Sequence, residues 1–68
     1  MQTVRVQDIG EGEVIFNGED WMTVDRIEEI PLDWAGERPI GGETSYLRFH
    51  WVGGGHQDLY KRDRVRVL

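Results

Sequence analysis

A chain of 68 residues is long enough for one small domain and no more. Thirteen acidic against eight basic side chains give a net charge of -5, a field that disfavours indiscriminate binding to phosphate backbones. The absence of cysteine removes disulfides as staples, and no apolar run approaches the roughly 18 residues of a membrane span.

The first extended segment is Thr3-Val4-Arg5-Val6-Gln7, where Val4 and Val6 share one face and Arg5 takes the other, the period-two pattern of a half-buried strand. The first ten residues, MQTVRVQDIG, have neither the basic nor the hydrophobic stretch of a leader, so a cytoplasmic, free polypeptide starting at Met1 is the expectation. Gly10 and Gly12 then reverse the chain into a second apolar run, Glu13-Val14-Ile15-Phe16, which ends at Asn17-Gly18. That dipeptide predicts a type I′ hairpin turn. Residues 19–30 admit a helical reading through Val24 and Ile27. Trp21, Thr23, Val24 and Ile27 prefer strands, however, and Pro31 closes the segment, so a strand is expected. Val24 and Ile27 have opposite parity, and burying both requires a bulge or strong twist near Asp25-Arg26.

Residues 31–45 hold both prolines and three of the nine glycines. Leu32, Trp34 and Ile40 favour an ordered loop over a solvated linker, with a mobile binding loop carrying Trp34 as the competitor. The clearest strand is Tyr46-Leu47-Arg48-Phe49-His50-Trp51-Val52, with Leu47, Phe49 and Trp51 on the core face. Gly53-Gly54-Gly55 connects it to a short return strand over 56–60, Lys61–Arg64 allows a single 3₁₀ turn, and Val65-Arg66-Val67 repeats the opening pattern. Short terminal strands of identical pattern invite pairing of the chain ends. Trp51 is expected to be the most buried of the three tryptophans, Trp21 the next, and Trp34 the most exposed.

The fold class expected from these segments is all-β, with about five short antiparallel strands in a single domain over residues 1–68. Tyr46, Arg48, Trp51, Gly55-His56, Leu59 and the terminal valine strand resemble the small SH3-like domains of actinobacterial type. Val52 and the glycine triplet depart from that pattern, in which a polar hairpin is more usual. The resemblance implies a small, partly open SH3-like barrel and leaves the activity open, since such domains serve peptide binding, nucleic-acid binding and scaffolding alike.

No pattern points to catalysis. Ser45 is the only serine and has no nucleophile elbow around it, and the glycine-rich stretches lack the lysine-serine or lysine-threonine end of a phosphate loop. A non-enzyme without cofactor is expected. His50, His56 and Asp58 could approach one another across the glycine hairpin, but the spacing falls short of a metal-site pattern and an ordinary polar histidine pair is favoured. Glu28, Glu29, Asp33, Glu37 and Glu43 lack calcium-loop spacing and read as a solvated acidic face.

Two surfaces remain. Aromatic and charged groups beyond the needs of a small core point to recognition of a protein or peptide through Trp34, Tyr46, Arg48 and Tyr60 with the acidic residues Glu28, Glu29 and Glu37. The alternative is a nucleic-acid surface of Arg48, Lys61, Arg62, Arg64 and Arg66. Charge is unevenly distributed: residues 1–47 hold eleven acids and three bases, residues 48–68 two acids and five bases. That asymmetry fits internal charge matching or, as a second reading, a basic edge for a partner. Monomer and homodimer are both compatible with so small a core.

Overall fold

A computed structural model describes residues 2–32 and 44–68. Six antiparallel strands follow one another: β1 (Gln2–Arg5), β2 (Val14–Phe16), β3 (Trp21–Pro31), β4 (Ser45–Trp51), β5 (His56–Leu59) and β6 (Arg64–Val67). They form one sheet in the order β1-β6-β2-β3-β4-β5. The architecture is all-β, with six strands where about five were expected, because the three-residue run Val14–Phe16 forms its own strand. Among the described residues the ladder does not continue from β5 to β1, so the sheet is open.

Chain ends pair as their repeated pattern predicts. Val4 lies opposite Val65 and Gln2 opposite Val67, while Ile15 of β2 meets Val67 on the other side of β6. Strand β1 is shorter than its alternation implied: at Val6 the chain leaves the ladder for a 3₁₀ turn over Val6–Asp8, which delivers Val6 and Ile9 into the core. The 60–63 connection makes a single turn, Asp63 N donating to Tyr60 O at 3.1 Å.

Strand β3 holds the two halves together. Its first residues pair with β2 (Val14 with Thr23, Ile15 with Met22, Phe16 with Trp21), and from Val24 onward it pairs with β4. The register steps from Val24–Trp51 directly to Arg26–His50, so Asp25 is an extra residue. The parity conflict between Val24 and Ile27 is thereby resolved where the sequence placed it. A bulge bends and twists its strand, and the bend lets the β1-β6-β2 half fold against the β4-β5 half. One core cluster accordingly joins Ile15 and Val67 from the first half to Phe49 and Trp51 from the second, with Val6, Ile9 and Val24 between.

Trp51 is 5% exposed and Trp21 38%, since Ile15 and Met22 form the inward pair of the β2–β3 hairpin and alternation turns Phe16 and Trp21 outward; Trp34, third in the expected order, lies outside the described residues. One local expectation is corrected. Asn17-Gly18 does not form a type I′ turn, which needs positive φ at both residues. Only Gly18 has it, at +106°, and no non-glycine among the described residues does. Instead Asn17 N donates to Asp20 O at 3.0 Å, and Asn17 Oδ1 accepts from the backbone N–H groups of Glu19 and Asp20 at 2.8 and 2.7 Å. The side chain closes a four-residue loop. At the other hairpin, Gly53, Gly54 and Gly55 all adopt positive φ, conformations that side-chain-bearing residues resist.

Candidate functional site

The outer surface of β3-β4-β5 is a lattice of cross-strand charges. Register sets Glu28, Arg48 and Asp58 in one row and Arg26, His50 and His56 in the next, with Tyr46 beside Ile30. Directly opposed side chains in an antiparallel pair lie close enough to interact, and this surface uses that proximity throughout.

Arg48 stands between two carboxylates and engages Asp58. Its Nε donates to Oδ1 at 2.8 Å and its Nη2 to Oδ2 at 3.1 Å, the planar two-point match that guanidinium and carboxylate permit. The same Nη2 lies 3.3 Å from the Tyr46 hydroxyl. Arg48 holds the Asp58 carboxyl below its ordinary range by this hydrogen bond, and Asp58 in turn raises the guanidinium further above its own. Glu28 is left for the adjacent row: its Oε1 lies 3.0 Å from His50 Nε2 and 3.8 Å from Arg26 Nη1. The hydrogen bond with His50 is the main reason its carboxyl is held low.

Glu29 projects from the other side of β3. Its Oε2 accepts from Lys61 Nζ at 2.9 Å and from Ser45 Oγ at 2.7 Å, and both bonds lower its pKa, the lysine's most. All three carboxylates are thus kept ionised at neutral pH, which makes them poor general acids. Among the described residues no group of three or more histidine or acidic side chains could hold a metal ion. His50 and His56 do meet across the hairpin, with ring centroids 5.9 Å apart.

Beside this lattice lies an open cleft of about 220 Å³, lined by Leu32, Tyr46, Asp58, Leu59 and Tyr60. Tyr46 comes from the start of β4 and Tyr60 from the residue after β5, so the glycine hairpin brings them to one place. The residues singled out for partner binding therefore separate into groups. Tyr46 and Tyr60 share the cleft, and Arg48 positions its polar wall through Asp58. Glu28 and Glu29 lie on opposite faces of β3 and are engaged with their own cations. Trp34 and Glu37 lie outside the described residues.

The alternative basic set also divides. Arg48 and Lys61 each face a carboxylate. Arg62 sits in the turn between β5 and β6, while Arg64 and Arg66 are exposed on β6, in the other half of the sheet. Leu32, Leu59 and Asp58 are cleft residues outside the partner-binding set expected from the sequence, where Asp58 figures only beside His50 and His56. Asp58 had a signal, since it follows Arg48 by a hairpin's length, but its pairing depends on register.

No helix among the described residues is long and apolar enough to cross a membrane. Comparison with known proteins returns no matching family model, no matching curated sequence and no matching solved structure.

Proposed function

We propose that this domain is a noncatalytic interaction module that takes an extended, proline-containing peptide in the cleft between Tyr46 and Tyr60. One observation carries the reading: two tyrosines, one from β4 and one from the residue after β5, and two leucines converge on an open recess, with an ionised carboxylate clamped at its wall. Aromatic-lined grooves suit polyproline II segments, which lose little entropy on binding and present flat ring faces. The volume of about 220 Å³ is smaller than the roughly 300–1,000 Å³ typical of small-molecule pockets and suits one or two side chains of a longer ligand. Arg48 serves as a positioning residue that fixes Asp58 and steadies the Tyr46 hydroxyl.

We also read the folded-over sheet as a partly open barrel of SH3-like layout. Support comes from two backbone bonds, Val6 N to Asp63 O at 2.8 Å and Gln7 N to Lys61 O at 3.2 Å. They tie the chain leaving β1 to the turn that follows β5, between the two edges of the sheet.

A peptide array containing proline-rich and scrambled sequences, followed by amide NMR titration of the best binder, tests the proposal. The expected result is chemical-shift change centred on Leu32, Tyr46, Leu59 and Tyr60, and at least tenfold weaker binding after Tyr60→Ala. Tyr60 is 46% exposed, so its truncation leaves the fold intact. Absence of any proline-rich binder, or shifts centred on another face, would refute it.

A further inference from the structure

Among the described residues, the cations other than Arg62 divide between the two halves of the sheet. On the β3-β4-β5 half, Arg26, Arg48 and Lys61 are each within 4 Å of a carboxylate. The β1-β6-β2 half is the reverse. Arg5 lies directly opposite Arg64, and Thr3 opposite Arg66. Val4, Val65 and Val67 turn toward the core, so alternation sends Arg5, Arg64 and Arg66 out to one surface, where all three are exposed. Neither Arg5 nor Arg64 has an ion pair among the described residues. Like charges directly opposed across a ladder destabilise it. In a chain with thirteen acidic side chains, a row of arginines without an ion pair among the described residues is a feature that folding does not require.

Aromatic rings continue the same surface. The Arg66 guanidinium lies 5.9 Å from the centroid of Phe16, and Phe16 and Trp21 rings stand 5.4 Å apart, both outward from the β2–β3 hairpin. Phe16, Arg64 and Arg66 also border an open cleft of about 380 Å³ at the edge of this face, whose far wall is Gln57 and Leu59 of β5.

We infer that the outer face of β1-β6-β2 binds single-stranded nucleic acid, with phosphates on Arg5, Arg64 and Arg66 and a base stacked on Trp21 beside Phe16. Arginine forks match phosphate oxygens, and exposed rings stack on bases only when those bases are unpaired. A duplex hides the base faces on which Trp21 would stack. An acidic peptide would satisfy the arginines but gives Trp21 no planar partner. Overall negative charge does not forbid this, because salt screens beyond about 8–10 Å and the carboxylates of Glu28 and Asp58 occupy the other half of the sheet.

Fluorescence anisotropy of a short labelled oligo(dT) at low salt, with polyglutamate as competitor, tests the inference. Binding is expected, with a log affinity against log salt slope of about −2 for three phosphate contacts. Arg64→Gln and Arg66→Gln each reduce that slope by about 0.7, and Trp21→Ala weakens binding at least about fivefold. Arg26→Gln, on the other half, changes neither. Arg64→Gln relieves the opposition to Arg5, so lost binding accompanied by unchanged or raised thermal stability separates recognition from unfolding. No binding at low salt, displacement by polyglutamate at equal charge concentration, or indifference to Trp21→Ala would overturn the inference. Tyr60→Ala should leave oligo(dT) binding intact, which keeps this face distinguishable from the peptide cleft.

Discussion

Ile15 is fully buried in the three-residue strand that joins the two ends of the sheet, flanked by Met22 on β3 and Val67 on β6. Ile15→Val removes one methylene from a site whose neighbours belong to two strands and cannot both close in. The transfer loss of about 0.8 kcal/mol, with a small void added, gives about 1 kcal/mol. For 68 residues the unfolding entropy is about 0.14 kcal/mol per kelvin, so the melting temperature should fall by about 7 °C. Val52→Ala removes two carbons, but Val52 is 58% exposed, and its loss should cost less than about 0.5 kcal/mol. Circular-dichroism melts and urea titrations of both variants measure the order. If the larger deletion at Val52 costs as much as the smaller one at Ile15, the two-sided role of β2 is wrong.

Two other outcomes follow from local chemistry. Asn17→Ala removes the acceptor of two backbone N–H groups and should cost about 1 kcal/mol, whereas Asn17→Asp keeps the acceptor; equal melts for the two would show that the loop does not depend on that oxygen. Glu28, Glu29 and Asp58 all have folded-state pKa values below their unfolded ones, so their contribution is complete above the ordinary carboxylate range and is lost as pH falls through the depressed values. Thermal stability should be level down to about pH 5 and decline below about pH 4, with a shallower decline in Asp58→Asn; a profile unchanged by that substitution would mean that the Arg48 clamp contributes nothing.

Much of the fold was legible because alternation is a local signal. Val24 and Ile27 announced a bulge by their parity alone, and the matching valines of the two terminal segments announced their pairing. The outward place of Trp21 follows from parity as well: counting back by two from buried Val24 puts Met22 inside and Trp21 outside. At Asn17 the dipeptide signal was real but the side chain, not a left-handed backbone, closes the loop. The site was less legible. Tyr46, Arg48 and Tyr60 stood out as residue types, yet which carboxylate Arg48 would take depended on the hairpin register through Gly53–Gly55. The opposition of Arg5 to Arg64 depended on a pairing between residues nearly a chain length apart.

Asp25 is exposed and makes no side-chain hydrogen bond or ion pair among the described residues. Its contribution is therefore one of number rather than identity: a surplus unit in the ladder lets a single strand serve as wall to one layer and floor to the other. What matters at that point is chain length, and many side chains could stand there without altering the shape they help to create.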